Sequence, residues 1–436
     1  MHGRVKIFTH GCQMNDLDSQ KLYSELARQG YQATDDDEAA DLVILNTCSV
    51  RQKAQEKAVS TLGRLRVLKR HKPGLVIAVT GCVAQQEGAA LAEHFPEVDI
   101  VIGTHQLHKL CDLVAEALTR RQPRIETAFG ECIPSMDIVP DKAFLSPGHR
   151  AYLNIMQGCD NYCTYCIVPM VRGREISRDH AAILSEVRLQ ASRGVKEIFL
   201  LGQNVNSYAG GVPFPQLLKE IHSVDGIERL RFTTSHPKDV SPELIECFAV
   251  LPKLCSHLHL PFQAGSDRVL KAMNRNYTYA SYLKLIEDLR RARPDMAFSA
   301  DVMVGFPGES DSDFQRTLAL IKVVRFDVLY SFKYSPRPGT AADSLADDVA
   351  LPEKSARLDL LQSLQKRITL ENNQARLDKV YEVLVDGPSP RHTHQVFGRT
   401  THGAIINFAG SSSLIGETVA VKVTRANQNS LTGELI

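Results

Sequence analysis

Residues 158–166 read Gly-Cys-Asp-Asn-Tyr-Cys-Thr-Tyr-Cys and place Cys159, Cys163 and Cys166 in a C-x3-C-x2-C triplet. The apolar residues 152–156 lead into the triplet and predict a strand. Three thiolates this close together can bind three irons of a four-iron four-sulfur cluster and leave one iron open to a small molecule. Structural zinc normally takes four protein ligands, and no nearby histidine could be the fourth. The stretch therefore predicts an iron–sulfur site, with a turn of three free cysteines as the alternative.

Around the triplet, strands and amphipathic stretches alternate through the middle of the chain. The predicted strands cover residues 151–157, 195–202, 229–234, 257–262, 298–304 and 327–333. Six strand–helix units in series predict an incomplete parallel (βα)6 barrel, whose active site lies on the loops at the carboxyl ends of the strands. The triplet follows the first strand, at that end. Polar and glycine-rich turns at residues 202–206, 235–237, 263–267 and 305–309 follow other strands and can line the same mouth.

The N-terminal part of the chain repeats a strand, a cysteine turn and a helix three times. Predicted strands at residues 5–9, 41–45, 75–80 and 99–102 alternate with helices, which indicates a doubly wound parallel sheet. Cys12, Cys48 and Cys82 follow the first three strands. In such sheets the ligand crevice lies outside the carboxyl ends of the strands, so the three thiols converge there. They predict a second cluster with one open iron; three buried structural cysteines are the alternative.

After a helical connector over residues 352–377, the pattern changes to short strands at residues 380–385, 395–399, 404–408, 417–423 and 431–436. Five strands punctuated by glycines predict a small β-barrel of the oligonucleotide-binding kind. We expect this barrel to bind RNA, with a purely structural cap as the alternative. The predicted domains are residues 1–125, a linker over 126–150, the central barrel over 151–370 and the small barrel over 371–436.

The composition fits a soluble globular protein. Of the 436 residues 43% are hydrophobic and 23% charged, and the formal net charge is +1. Nucleic-acid binding therefore depends on local patches, such as the basic stretch from Arg51 to Lys72. No apolar run reaches the roughly 18 residues of a membrane helix, and the start lacks a signal peptide, so we predict a cytoplasmic protein. Cys111, Cys132, Cys247 and Cys255 lie outside the motifs and are predicted to be small core residues.

Together these motifs resemble the radical S-adenosylmethionine (SAM) methylthiotransferases, in which a three-cysteine domain, a radical SAM barrel and a TRAM domain follow one another. The resemblance covers essentially the whole chain. It rests on the six cysteines and on residues 11–15, 46–57, 172–178, 201–208, 265–267, 304–309, 398–400 and 406–408. Residues 46–57 resemble the branch of the family that modifies isopentenyladenosine. Departures from the family's usual residues occur at His10, Met170, Val171, Asp179 and Ala264; they leave the cysteines intact and affect only fine substrate contacts.

The resemblance implies methylthiolation of carbon 2 of N6-isopentenyladenosine at position 37 of the tRNA anticodon loop. It implies two 4Fe-4S clusters, one on each cysteine triplet, and two SAM molecules per turnover, one as methyl donor and one as source of a 5′-deoxyadenosyl radical. It further suggests that the small RNA-binding barrel lies next to the active site, and that SAM is contacted at the mouth of the central barrel. Tyr165 would pack on the adenine, with ordinary core packing as the alternative; Gln203 and Asn204 would make polar contacts, and Gly305 would allow close backbone approach.

The implied partners are tRNA, an electron donor such as flavodoxin or ferredoxin, and a carrier of sulfur or of iron–sulfur clusters, and the chain is expected to act as a monomer. Within the family, the alternative substrates are threonylcarbamoyl-adenosine in tRNA and an aspartate of a ribosomal protein. Outside it, a two-cluster electron carrier predicts no SAM cleavage. A plain RNA-binding protein would keep its function without the six cysteines.

Overall fold

The computed structural model describes residues 3–49, 52–119, 122–390, 392 and 394–436, and only the backbone of residues 52–54. Residues 50 and 51 belong to the stretch 46–57 of the resemblance, and residue 51 also begins the basic stretch; both lie outside the described residues. So does the side chain of Lys53.

The N-terminal sheet has six strands, all parallel. In spatial order they are Tyr31–Ala33, Gly3–His10, Leu42–Thr47, Val76–Gly81, Ile100–Ile102 and Arg124–Glu126. The helices of this domain are Gln13–Arg28, Gln52–His71, Cys82–Glu87, Ala89–His94 and Leu110–Ala117, the last preceded by a 3-10 turn at Leu107–Lys109. The four predicted strands are present, and two short edge strands join them.

Alternate residues of the central strands pack against helices on opposite faces of this sheet. Leu42 and Ile44 contact a cluster that contains Leu22 and Leu110, whereas Val43 and Leu45 contact a cluster on the other face. A strand alternates its side chains between faces, so continuous Val, Ile and Leu runs require helices on both sides. The doubly wound sheet is therefore confirmed.

The central domain is an open barrel of six parallel strands in two hydrogen-bonded halves. The strands are Arg150–Asn154, Glu197–Leu201, Arg229–Phe232, His257–His259, Ala297–Val304 and Val328–Lys333. The halves approach each other at a parallel bridge between Leu230 and Leu254. Its helices are Val168–Arg172, His180–Ser192, Phe214–His222, Pro242–Val250, Asp267–Ala272, Tyr279–Ala292, Asp311–Val324 and Leu351–Gln374. A short antiparallel pair, Met156–Gln157 with Ile176–Ser177, brackets the cysteine triplet.

The C-terminal domain is a closed five-stranded barrel. Its strands are Val380–Pro388, Gln395–Arg399, Ile405–Ala409, Thr418–Ala426 and Leu431–Leu435. Inward-facing residues such as Val383, Ile406, Phe408 and Val421 form its core. The predicted fold class, a doubly wound domain followed by an incomplete barrel and a small all-β barrel, is confirmed.

The small barrel does not lie next to the cysteine triplet, so that expectation is wrong. It contacts the amino ends of the central strands, whereas the triplet follows a carboxyl end. Arg150, which begins the first strand, donates to Asp386 Oδ1 at 2.8 Å, and Arg229, which begins the third, donates to the carbonyl oxygen of Glu382 at 3.1 Å. The small barrel therefore closes the end of the central barrel opposite to the cysteines.

The N-terminal domain packs against the concave side of the first two central strands. Met14 and Leu17 contact Leu201 and the partly buried rings of Tyr152 and Phe199. These two strands are therefore covered by the first domain on one side and by the barrel's own helices on the other.

Lys21 joins three parts of the chain at this contact. Its buried Nζ donates to the carbonyl oxygens of Ser135 and Met136, at 2.8 and 3.0 Å, and to Asn154 Oδ1 at 2.7 Å. Burial lowers the pKa of Lys21 to about 8. Residues 126–150 thus run along a packed interface, and the predicted domain boundaries stay predictions.

Two local expectations need correction. Cys247 and Cys255 are buried, but Cys132 is exposed and Cys111 partly so, because residues near 132 lie outside the regular elements. Part of the basic stretch after Cys48 is engaged in ion pairs: Lys69 with Asp99, Lys72 with Asp41, Arg64 with Asp37 and Arg66 with Glu97. Those four bases are partly neutralised by the protein itself.

Candidate functional site

The cysteines of the N-terminal domain lie at the carboxyl edge of its sheet. Cys12 directly precedes the helix Gln13–Arg28, Cys48 follows the strand Leu42–Thr47, and Cys82 begins the helix Cys82–Glu87. The Cys48 side chain hydrogen-bonds to both Cys12 and Cys82. The structure therefore brings the three thiols together.

The turns that carry these cysteines are held by close backbone approach and by a polar network. Gly81 has a φ of +90°, and a Cβ there would lie 2.2 Å from the carbonyl oxygen of Thr47, so only glycine fits. Asn15 Nδ2 donates to Asn46 Oδ1 at 2.8 Å and to the carbonyl oxygen of Thr47 at 3.1 Å. Asn15, whose role is not evident from its motif alone, ties the first cysteine turn to the second.

The three thiols share their protons unequally. The hydrogen bond with Cys48 lowers the pKa of Cys12 and of Cys82, whereas the pKa of Cys48 is raised by its hydrogen bonds to the other two. Arg172, which comes from the central domain, also hydrogen-bonds to Cys82 and favours its thiolate. Thiolates are the form that binds iron, so the site favours the ligand state of two of its cysteines.

The second triplet lies on a loop supported from two directions. Gly158 has a φ of +84°, and a Cβ there would lie 1.9 Å from the carbonyl oxygen of Arg174. Thr164 donates its N–H to the carbonyl oxygen of Met273 at 3.1 Å, and Asn274 Nδ2 donates to that of Tyr162 at 3.0 Å. The loop conformation is therefore fixed by the chain around it.

One buried arginine contacts this second triplet. Arg275 Nη1 lies 3.3 Å from Cys163 Sγ, and the Asn161 amide lies 3.4 Å from Cys159 Sγ. Burial raises the pKa of Cys159, and it raises that of Cys166 to about 12. Without a bound cation these thiols stay protonated, so metal binding here releases protons.

The two triplets lie on either side of one domain contact. Arg172 ends the short helix that follows Cys166 and reaches across to Cys82, which also packs against Ile167 and Val171. The main chain of the next residue, Gly173, accepts the N–H of Cys159 at 3.2 Å. A segment of a few residues thus touches a cysteine of each triplet.

The residues suggested as SAM contacts surround the second triplet in different ways. Tyr165 packs, partly buried, against an apolar cluster that contains Phe306. Gln203 Oε1 accepts the N–H of Gly158 at 2.6 Å, so its amide supports the cysteine loop. Asn204 Nδ2 donates to Asp239 Oδ2 at 2.8 Å.

Gly305 is placed differently from the other three. Its N–H donates to Glu309 Oε2 at 2.6 Å, and a Cβ there would lie 2.3 Å from Lys354 Cγ. The close approach that this glycine allows is therefore to the helix Leu351–Gln374. The roles of all four residues toward SAM stay predictions.

Beside these residues, three buried polar atoms have no partner: Asn204 Oδ1, Ser235 Oγ and His236 Nε2. Burial, together with the charges of Arg275 and Lys238, lowers the pKa of His236 to about 2, so the ring is neutral. Its Nδ1 accepts the N–H of Lys238 at 3.2 Å, which leaves the proton on Nε2 as a donor. Buried polar atoms are normally paired, so these three fit a polar ligand such as the amino acid part of SAM.

The donor sets also fit iron–sulfur clusters by their chemistry, since thiolates are the ligands that such clusters take. Among the described residues, no three His, Cys, Asp or Glu side chains are arranged to hold a single metal ion. Each thiolate of a four-iron cluster binds a different iron, so its ligands stand further apart than those of one ion. Sequence reasoning missed Arg172, Arg275, Ser235 and His236, although all but Arg275 lie in the motifs and turns described above.

Three family models match the chain in order. They are the Uncharacterized protein family UPF0004 over residues 4–103, the Radical SAM superfamily over residues 153–321 and the TRAM domain over residues 374–436. Solved structures with a similar fold include the radical S-adenosylmethionine methyltransferase TsrM from Kitasatospora setae, with a TM-score of 0.57 and 15% identity over 79% of this chain and 77% of that one. The cobalamin-dependent SAM radical enzyme OxsB has a TM-score of 0.53 and 13% identity over 84% and 56%. These two show the fold alone.

The domain order and the central cysteine loop define a radical SAM enzyme with an added three-cysteine domain and a TRAM domain. Two curated relatives, both called tRNA-2-methylthio-N(6)-dimethylallyladenosine synthase, extend the match over the whole chain. The one from Geobacter sulfurreducens is 50% identical over 98% of this chain and 96% of its own length, and the one from Geotalea uraniireducens is 51% identical over 98% and 97%. This chain belongs to the family of tRNA-2-methylthio-N(6)-dimethylallyladenosine synthases.

Proposed function

We propose that this enzyme methylthiolates carbon 2 of N6-isopentenyladenosine at position 37 of the tRNA anticodon loop. The names of the relatives support this substrate and not threonylcarbamoyl-adenosine or a ribosomal-protein aspartate. The cofactors are two 4Fe-4S clusters and SAM. When bound, they supply a methyl group, the inserted sulfur and a radical able to attack an unreactive C–H bond.

One observation carries the proposal: the two cysteine triplets meet at a single domain contact. Cys12, Cys48 and Cys82 would hold the cluster that delivers sulfur, and Cys159, Cys163 and Cys166 the cluster that binds SAM. Arg172 and Gly173 touch a cysteine of each triplet. A base bound near this contact would be accessible both to the radical formed from SAM and to the sulfur of the other cluster. A two-cluster electron carrier would have no need for this arrangement.

The open part of the central barrel offers a wall for the target nucleoside. Val328, Tyr330 and Phe332 are 43%, 47% and 39% exposed on the concave side of the last strand, while Leu329 packs into the core. The His259 ring meets the ring of Tyr330 edge to face at 5.9 Å. An exposed aromatic row suits both the stacked base and the apolar isopentenyl group.

The decisive experiment is anaerobic. The protein is reconstituted with iron and sulfide and incubated with SAM, a strong reductant and isopentenylated tRNA that lacks the methylthio group. We expect 2-methylthio-isopentenyladenosine in the digested tRNA, detected by mass spectrometry. Free 5′-deoxyadenosine without the modified nucleoside would point to another substrate, and protein with full iron content that makes neither would contradict the enzyme assignment.

Truncation of the aromatic row should weaken substrate use without affecting the clusters. Stacking on an aromatic side chain contributes about 1–3 kcal/mol per base, so we expect Tyr330→Ala and Phe332→Ala each to lower kcat/KM for tRNA by roughly tenfold. Tyr330→Phe keeps the ring and should retain most of the activity. Val323→Ala, on the exposed side of a barrel helix, is the matched control. Unchanged kcat/KM in both Ala variants would place the substrate elsewhere.

The remaining partners follow from the proposed chemistry. A low-potential donor such as flavodoxin or ferredoxin would reduce the barrel cluster, and a carrier of sulfur or of clusters would restore the sulfur that is consumed. No helix in the described part of the chain is long and apolar enough to cross a membrane. We further propose that the enzyme is cytoplasmic and acts as a monomer.

A further inference from the structure

Each cysteine triplet is contacted by a buried arginine that lies outside the triplet, and the charge of Arg337 also acts on Cys48. Arg172 lies next to Cys82, which packs against the adjacent residue Val171, and Arg275 Nη1 lies 3.3 Å from Cys163 Sγ. The two arginines are only 3% and 8% exposed. A buried guanidinium is costly unless it is paired, so each position requires a local negative charge.

The main chain fixes Arg172 in place independently of its side chain. Thr104 Oγ1 donates to the carbonyl oxygen of Val171 at 2.7 Å, and the His105 ring lies at 2.8 Å from that of Arg172. The guanidinium therefore enters the N-terminal site at a set position, although it belongs to the central domain. The guanidinium reaches the N-terminal triplet only when both domains are docked.

The two arginines differ in their other partners. Arg172 Nη2 donates to the carboxylate of Asp18, itself buried, at 3.0 Å, and Nη1 donates to Gln157 Oε1 at 3.3 Å. One carboxylate thus offsets its charge.

Arg275 instead donates to neutral oxygens, the carbonyl of Pro261 at 3.0 Å and the hydroxyl of Tyr277 at 3.1 Å. Among the described residues, the titratable groups that act most on its charge are Tyr277, Tyr165 and Cys163, and none of them is an Asp or Glu. The positive charge of Arg275 would therefore act mainly on the cluster that Cys163 binds.

We propose that Arg172 and Arg275 are positioning residues that each donate a charge-assisted hydrogen bond to one thiolate ligand. Because Asp18 offsets the charge of Arg172 and no carboxylate offsets that of Arg275, the two clusters have different reduction potentials. A hydrogen bond or positive charge at a ligand sulfur stabilises the reduced, more negative cluster. The barrel cluster, beside the uncompensated Arg275, is therefore the easier of the two to reduce. In an equilibrium titration the cluster at the SAM-cleaving site is therefore reduced first.

This inference rests on the proposed function in that both triplets must bind clusters, and its test uses each cluster alone. One protein carries Ala at Cys12, Cys48 and Cys82, and the other carries Ala at Cys159, Cys163 and Cys166. Each is reconstituted and titrated anaerobically with a viologen-mediated reductant, without SAM, and the reduced cluster is followed by electron paramagnetic resonance. We expect the barrel cluster to show the less negative midpoint.

The arginine variants act as controls for each other. Arg275→Gln should shift the barrel cluster to a more negative midpoint, and Arg172→Gln should do the same for the N-terminal cluster, while neither changes the other cluster. Asp18→Asn should shift the N-terminal cluster to a less negative midpoint because it exposes the charge of Arg172. Where a Gln variant fails to load iron, the Lys variant keeps the charge and should restore loading.

Unchanged midpoint potentials in Gln variants that are fully loaded with iron would overturn the inference. Equal midpoint potentials in the two single-cluster proteins with both arginines intact would overturn it as well. If the single-cluster proteins show the shifts but the protein with both triplets intact makes no methylthio nucleoside, the proposed function is contradicted and this inference stands. Protein that binds no cluster at either triplet would overturn both.

Discussion

Changing Cys159, Cys163 and Cys166 to Ala should abolish both 5′-deoxyadenosine and the methylthio nucleoside, whereas changing Cys12, Cys48 and Cys82 should abolish only the nucleoside. The barrel triplet would hold the cluster that cleaves SAM. Asn204, Ser235 and His236, which carry unpaired polar atoms, follow the other two strands of the same sheet. The N-terminal triplet lies across a domain contact and would supply sulfur only. Loss of the barrel triplet should therefore stop SAM cleavage, whereas loss of the N-terminal triplet should stop only the transfer of sulfur to the tRNA.

Iron analysis gives this experiment its control. With two four-iron clusters, iron should fall from about eight to about four atoms per chain in either triple variant. A variant at Cys247, which is buried away from both sites, should keep the full content. A methylthio product from protein lacking Cys12, Cys48 and Cys82 would contradict the sulfur-delivery role, and 5′-deoxyadenosine from protein lacking the barrel triplet would contradict the SAM assignment.

The second large effect concerns stability, at the end of the barrel opposite to the cysteines. Glu197 is fully buried, and its carboxylate accepts hydrogen bonds from Arg231 Nε at 2.6 Å and from Arg150 Nε. Glu197→Gln leaves two buried guanidiniums without this countercharge. Removal of one partner of a buried ion pair costs about 3–5 kcal/mol, so we expect a loss of that size in the free energy of unfolding, measured by urea denaturation.

A surface carboxylate at the same interface provides the comparison. Glu228 pairs with Lys196 at 3.5 Å and is 42% exposed, so Glu228→Gln should cost less than about 1 kcal/mol. Similar losses in the two variants would show that the Glu197 network adds nothing beyond an exposed pair.

The same network predicts a pH dependence. Burial acts to raise the pKa of Glu197, but Arg231 and Arg150 outweigh it and hold the pKa at about 2, below the ordinary value of 4.5. A depressed carboxyl pKa stabilises the fold above the unfolded value and loses that contribution as the pH falls through the folded value. The stability difference between the native protein and Glu197→Gln should therefore be complete above pH 4.5 and shrink as the pH falls toward 2.

Sequence patterns predict what repeats locally and miss what depends on docking. Strand periodicity locates the sheet and both barrels, and the strand-end rule correctly brings Cys12, Cys48 and Cys82 together. Arg172 and Arg275 were not predicted because their contacts join segments that are far apart in the chain. The site of the small barrel was missed for the same reason: Arg150 and Asp386 meet only after folding, and neither carries a local signal.

The placement of the small barrel at the far end of the central strands has a consequence for substrate choice. If that barrel grips the stem of a tRNA, the loop being modified must extend along the side of the enzyme to the opposite end. The RNA-binding site and the reaction site are then separated by the length of the central barrel. The enzyme therefore selects its substrate by the distance between stem and target base as well as by the base itself. An RNA hairpin too short to reach from the small barrel to the cysteine sites would be bound without being modified.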